Sequence, residues 1–387
     1  MPEYQANNAY VRVSGEQEPL IAPEQIKSEL PLDAEGARRV SAARASIKNA
    51  ILGRDSRLLV IVGPCSIHDP DAAIEYARRL ADLSVQLGDR LLLVMRTYFQ
   101  KQRTSLGWKG LIEDPRLEGA SDINQGLRLA RRILLEINRI GVPCATEFVD
   151  AVVPKFIEDF ICWSAIGART AESQIHRELA SALPMPVGIK NSSDGDWRNA
   201  INGMLSAHGP HSTFSLSDAG RAVIVHSKGN PEAHIVLRGG KSGPNFSQET
   251  ITQVRRELDR FGLARPIVVD CSHGNSSKNY RAQPDVFQSV LHQVVHGSNG
   301  VLGMMLESNL KEGAQQWGPH SKLSYGVSIT DSCIGWETTE ALLRRAHECL
   351  GGIGGGITRE QRRAEAIALE KEALAEPANW IPSEVAK

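Results

Sequence analysis

The feature that most constrains this chain is a regular beat of short apolar runs separated by longer amphipathic stretches. The runs are Leu58–Val62, Leu91–Met95, Pro143–Phe148, Trp163–Ala168, Val187–Lys190, His234–Leu237, Ile267–Asp270 and Val301–Leu306. Each is too short for a buried helix and long enough for a buried strand. Between most of them the apolar positions recur with helical period, as in Ala72–Leu87 and Asn124–Ile140. Buried strands that alternate with helices pair in parallel through right-handed crossovers. Eight of them suit a closed (β/α)8 TIM barrel, although periodicity alone leaves an open doubly wound sheet standing.

The expected domain plan is an N-terminal extension over residues 1–45, a catalytic barrel over 46–350, and a C-terminal segment over 351–387. Asp33 is placed to cap a helix over Ala34–Leu52. One interval breaks the β/α beat. Around Asp218-Ala219-Gly220, the stretches Thr213–Ser217 and Arg221–Ser227 read as an inserted β-hairpin, about 213–227. The run Gly351–Gly356 reads as a flexible break, after which Thr358 and Gln361 fit the capping box of a peripheral helix.

Composition removes several function classes. With 44 Lys and Arg against 45 Asp and Glu, the net charge is −1, so no global basicity invites nucleic acid or anionic membrane. No apolar run approaches the roughly 18 residues of a membrane span. The opening MPEYQANNAY lacks the basic and apolar regions of a secretory leader. The six cysteines form no CxxC pair, and most sit in or beside apolar runs. Reduced thiols in a cytoplasmic protein are therefore expected.

In a barrel the chemistry gathers at the C-terminal ends of the strands. The first run is followed by Gly63-Pro64-Cys65-Ser66, and the second by Arg96, with Lys101 and Arg103 close behind. The third contains Glu147, and Arg169 and Lys190 close the fourth and fifth. Arg238 caps the sixth, Asp270 and His273 the seventh, and Glu307 the eighth, with Asp331 in the next loop. A single strand-terminal arginine is ordinarily a surface ion-pair partner. Cations repeated around one rim of a nearly neutral chain are a local feature that calls for anions. Guanidinium forks match carboxylate and phosphate, so a substrate carrying both is indicated.

A second constellation is Cys65, His273, Glu307 and Asp331. Closure of a barrel brings the first, seventh and eighth strand regions together, and thiolate, imidazole and carboxylates suit a divalent transition metal. Taken one at a time, each residue has a plainer explanation: a buried thiol, a satisfied imidazole, and acids paired with nearby arginines. The residues alone leave both readings open.

These segments resemble the bacterial and fungal class I 3-deoxy-D-arabino-heptulosonate 7-phosphate (DAHP) synthases over roughly Leu58 to Leu343. The matching motifs include Gly63-Pro64-Cys65-Ser66-Ile67-His68-Asp69-Pro70, Gly107-Trp108-Lys109-Gly110-Leu111-Ile112 and Ala165-Ile166-Gly167-Ala168-Arg169-Thr170. Leu237-Arg238-Gly239-Gly240, Asp270-Cys271-Ser272-His273-Gly274-Asn275-Ser276 and Ser328-Ile329-Thr330-Asp331 complete the set. The resemblance implies condensation of phosphoenolpyruvate with erythrose 4-phosphate. It also implies a metal (Mn, Fe, Co or Zn) held by Cys65, His273, Glu307 and Asp331. Phosphoenolpyruvate contacts would fall to Arg96, Lys101, Arg169 with its neighbour Ala168, Lys190 and Arg238. The phosphate of the aldehyde would fall to Arg103 and Thr104, with Asp331 also facing substrate. Lys101, Glu147, Lys190 and His273 stand as the catalytic candidates. A homodimer or homotetramer is further implied, with the extension and hairpin forming a site for an aromatic amino acid effector.

Two motifs depart from the family's pattern. The segment Lys101-Gln102-Arg103-Thr104 lacks the usual proline, and Ser192-Ser193 replaces a usual Gly-Thr. These departures bear on the second substrate. The alternatives are a paralogous synthase using another aldose phosphate in a specialised pathway, a phosphoryl-transfer barrel, and a non-catalytic effector-binding paralog. No GxxxxGK[ST] loop supports the second, and the full set of ligands and cations argues against the third.

Overall fold

The computed structural model describes residues 17–103, 107–263, 267–297, 300–318 and 322–351. The expected break and helix beyond Gly351 lie outside the described residues, as does the start of the extension. The strands are β1 (Leu58–Gly63), β2 (Leu91–Arg96), β3 (Cys144–Glu147), β4 (Ile161–Ile166), β5 (Val187–Lys190), β6 (Ser212–Leu216), β7 (Ala222–His226), β8 (His234–Leu237), β9 (Ile267–Asp270) and β10 (Val301–Glu307). Eight of these close a parallel barrel in the order β1-β2-β3-β4-β5-β8-β9-β10. Closure is explicit. β1 pairs with β2 on one side and with β10 on the other, from Leu59↔Gly303 to Gly63↔Glu307. The open sheet is thereby excluded.

Strand periodicity explains how the core divides. Leu58, Val60 and Val62 point outward into the apolar layer beneath the helices. Leu59 and Ile61 point inward with Val94, Ala145, Trp163, Val236, Val268 and Met305. Val40, Ile47, Ala50 and Ile51 join that inner cluster from the helix Ala34–Ile51. The helix therefore packs across the end of the barrel where the strands begin. Its Arg44 holds it there by donating to the carbonyls of Glu158 and Ile161. Asp33 caps it, accepting from the Gly36 N–H. Each aliphatic side chain so enclosed contributes about 1.5–3 kcal/mol.

The fourth run needs a correction. The strand begins at Ile161 and stops at Ile166, so Ala168 and Arg169 stand in the turn beyond it rather than closing it. The turn is tied by the Thr170 N–H donating to the Gly167 carbonyl. The hairpin of β6 and β7 lies between β5 and β8 and is antiparallel, with Phe214 opposite Ile224. It meets the N-terminal segment through the Glu24 N–H to the Asp218 carbonyl and through an ion pair of Lys27 with Asp218 at 2.8 Å.

At the start of β8, His234 is fully enclosed. Its Nε2 accepts from the Trp163 indole at 3.0 Å, so its Nδ1–H donates to the Glu232 carbonyl at 2.9 Å. Burial pulls this imidazole down to about 4. The unfolded chain takes up the proton near 6.5, so between these values it binds more protons than the native state. The contribution is complete above about pH 6.5 and declines by roughly 3 kcal/mol as the pH falls to 4. Denaturant titrations across this window should show a shallower pH dependence for His234→Gln than for the parent. Identical slopes would show that His234 titrates normally.

Candidate active site

The rim is built from strand ends and the turns that follow them. Gly63, at φ 151°, ends β1 so close to β2 that a Cβ would meet the Arg96 carbonyl at 3.0 Å. Pro64 follows, its carbonyl accepting from Arg96 Nε at 3.3 Å. Cys65 is buried, and its Sγ accepts from the Asp331 N–H at 3.3 Å and lies 3.5 Å from Asp331 Oδ2. One ligand atom from each of Cys65, Glu307 and Asp331 falls within 4.8 Å of the others. Asp331 arrives from an irregular loop tied by the bridge Ser308↔Ile334, one residue past β10, and by Gly313↔Cys333 within the loop.

His273 stands at the edge of this group. Its Nε2 is 3.6 Å from Glu307 Oε1, while its Nδ1 lies 3.0 Å from Asp270 Oδ2 and 2.7 Å from Ser272 Oγ. The residue adopts φ 56°, a left-handed backbone that a histidine seldom takes and that the turn imposes. Burial opposes the Asp270 charge. His273, Lys190 and Arg96 outweigh that and hold its carboxyl well below the ordinary range.

The donors suit a transition metal. Thiol, two carboxylates and an imidazole oriented from behind by Asp270 form a mixed set of the kind that borderline cations accept. The set already draws a cation, because the Lys101 ammonium donates to Cys65 Sγ at 2.9 Å and lies 3.5 Å from Asp331. Burial works against the Lys101 charge, but Cys65, Glu307 and Asp331 overcome it and raise its pKa. Burial, reinforced by Glu307, pushes the Cys65 thiol well up. A metal ion would therefore have to displace both the thiol proton and the ammonium. A cavity of about 180 Å³, lined by His273, Glu307, Asp331, Ser276 and Lys278, opens beside the group.

The remaining cations divide into two kinds. Arg96 is 0% exposed, pairs with Glu307 at 3.2 Å, and donates to the Pro64 carbonyl. Lys190 is held at 2.7 Å by Glu147 and lies 3.9 Å from Asp270. Burial disfavours ionisation of Glu147, yet Lys190 keeps its carboxyl below the usual range. Gly167 permits this arrangement, since a Cβ there would come within 2.6 Å of Glu147 Oε1. By contrast, Arg103, Arg169 and Arg238 donate to the carbonyls of Trp108, Gln102 and Gly239. Among the described residues none of these three forms an ion pair with a carboxylate.

Of the residues singled out from the sequence, Thr104 lies outside the described residues. Ala168 sits half-buried in the turn before Arg169. Tyr98 was not singled out. Its buried ring has the Arg96 guanidinium 4.0 Å from its centre and the Lys190 ammonium 5.5 Å away. An aromatic ring close to two cations offsets part of their repulsion. An aromatic two residues past a strand-terminal arginine was the available signal.

The DAHP synthetase I family model matches residues 31–344. The Tyr-sensitive phospho-2-dehydro-3-deoxyheptonate aldolase of Escherichia coli strain K12 is 48% identical over 347 residues, covering 89% of this chain and 96% of that protein. The Phe-sensitive enzyme of the same strain is 48% identical over 326 residues, covering 84% and 93%. The structure of phospho-2-dehydro-3-deoxyheptonate aldolase from Francisella tularensis SCHU S4 superposes with a TM-score of 0.86 at 42% identity, covering 89% of this chain and 100% of that one. With a family model spanning most of the barrel and relatives near half identity along nearly their whole length, the chain belongs to the DAHP synthetase I family.

Proposed function

We propose that the chain condenses phosphoenolpyruvate with D-erythrose 4-phosphate and water, giving DAHP and phosphate, the first step of aromatic amino acid biosynthesis. The observation that carries this reading is one rim that sets carbonyl-partnered arginines beside a thiol–carboxylate metal group. The names of the relatives lend the alternative aldose phosphate no support.

Arg96, Lys101, Arg169, Lys190 and Arg238 bind the carboxylate and phosphate of phosphoenolpyruvate, and Arg103 with Thr104 takes the phosphate of the aldehyde. When bound by Cys65, His273, Glu307 and Asp331, a divalent transition metal (Mn, Fe, Co or Zn) supplies Lewis-acid polarisation of the aldehyde oxygen. Carbon 3 of phosphoenolpyruvate attacks the aldehyde carbon, and Lys101 gives a proton to the new alkoxide. Glu147, ionised and fixed by Lys190, orients the water that adds to carbon 2 and takes up its proton. Departure of phosphate from the resulting hemiketal leaves the 2-keto product and makes the step effectively irreversible. Asp270 keeps the His273 ring turned toward Glu307.

The test is phosphate release from phosphoenolpyruvate with a panel of aldose phosphates, run on the parent and on Gln102→Pro. The carbonyl of Gln102 accepts from Arg169, and proline would retain that acceptor while fixing φ. Erythrose 4-phosphate should be preferred by the parent, and Gln102→Pro should keep or modestly improve kcat/KM. A parent preference for five-carbon aldehydes, reversed by proline, would overturn the assignment.

Regulation follows from the elements added to the barrel. Relatives are named Tyr-, Phe- and Trp-sensitive. In this chain a small cleft lies between β6, β7 and the helix Pro154–Ile157, lined by Lys155, Leu179, Leu183, Phe214 and Val225. We take the 1–45 extension and the hairpin as an effector-sensing and interface unit on the 46–350 barrel of a cytoplasmic homodimer or homotetramer. One of phenylalanine, tyrosine or tryptophan should slow phosphate release and raise the Tm. No response to any of them leaves these elements a purely structural role.

A further inference from the structure

The helix Gln283–Val295 begins at the active-site rim, where Gln283 exchanges hydrogen bonds with the backbone of Glu307. It runs 13 residues away from that rim, which at about 1.5 Å per residue places its far end some ~20 Å off. There, His292 and its cap residue His296 stand exposed one turn apart, with ring centres 3.9 Å apart and planes at 24°. His296 Nδ1 lies 2.8 Å from the His292 carbonyl oxygen. A carbonyl only accepts, so Nδ1 carries the proton and Nε2 keeps its lone pair. The backbone thus sets the tautomer a metal-binding imidazole needs. The helix's last carbonyls add partial negative charge at the same end.

We propose that His292 and His296 form a second, surface metal site that chelates a borderline divalent cation such as Ni2+, Cu2+ or Zn2+. Two imidazoles one turn apart can share one ion once the stacked rings turn to bring their free nitrogens together, and water completes its coordination. Imidazole donors favour these ions over Mn2+ and Mg2+. The site lies too far from Cys65, Glu307 and Asp331 to share an ion with them, and the proposal does not depend on the catalytic reading.

The probe is Ni2+, measured by equilibrium dialysis against the metal-loaded enzyme. The parent should bind one more equivalent per chain than His292→Ala/His296→Ala. His296→Gln alone should weaken that equivalent at least tenfold, because chelation makes the second bond intramolecular. Added Cu2+ should give an electron paramagnetic resonance spectrum with coupling to two imidazole nitrogens, lost in the double variant. Phosphate release and the metal-free Tm should be unchanged in both variants. Equal Ni2+ binding by parent and double variant would overturn the proposal, as would full affinity in His296→Gln.

Discussion

Chelation should abolish turnover, and Mn2+, Fe2+ or Co2+ should restore it in the parent but not in Cys65→Ala at ordinary metal concentrations. The loss should be large because the group has few donors and Cys65 touches both Asp331 and Lys101. Alanine removes the soft ligand and frees the Lys101 ammonium to settle on Asp331 and Glu307. The variant should also keep its stability or gain some. Lys101 loses the thiol as a partner but keeps Asp331 at 3.5 Å, so its ammonium is not stranded. Metal content by elemental analysis, turnover and Tm together separate loss of metal from loss of fold. Full activity in verified metal-free protein would end the Lewis-acid account.

A second large effect should divide the arginines by their partners. Arg96→Ala leaves Glu307 buried and without its guanidinium, and breaking such a pair costs about 3–5 kcal/mol of folding stability. Its Tm should fall sharply and phosphoenolpyruvate binding should fail with it. Arg169→Ala and Arg238→Ala remove guanidiniums that, among the described residues, donate to carbonyls and pair with no carboxylate, so no described buried acid is orphaned. Their Tm should stay near that of the parent. Their affinity for phosphoenolpyruvate should drop at least tenfold, about 1.4 kcal/mol or more. Isothermal titration and melting of the three variants decide the matter. Parent-like affinity in both Arg169→Ala and Arg238→Ala would show that they are surface residues and that the anion site is misplaced.

The barrel and its rim were legible in the chain because both follow from local chemistry. Short runs rich in Val, Ile and Leu, such as Leu58–Val62, can be satisfied only by burial on both faces, which requires parallel strands covered by helices. Their C-terminal ends then share one rim, so Arg96, Glu147, Lys190 and Glu307 could be placed together without knowing the closure. The bounds of β4 were less legible, because Gly167 and Ala168 continue an apolar pattern past the point where the turn to Thr170 ends pairing. Tyr98 was hard to read for another reason, although it stands two residues past the strand-terminal Arg96. A lone aromatic reads as core, and only the positions of Arg96 and Lys190 make its ring a contact for two cations.

What the tertiary structure alone decided is which charges spend themselves on one another. Residue types place cations and acids on a rim, but pairing depends on distances of a few ångströms that no local pattern encodes. Closure through β1 and β10 sets Arg96 against Glu307, and the close approach at Gly167 sets Glu147 against Lys190. The irregular loop after β10 carries Asp331 back to Cys65, and a left-handed turn swings His273 between Asp270 and Glu307. Arg103, Arg169 and Arg238 are left to backbone carbonyls. Sequence determined that the rim is charged, because strand ends are local; tertiary structure decided which charges are already neutralised, because Coulomb energy depends on separation in space.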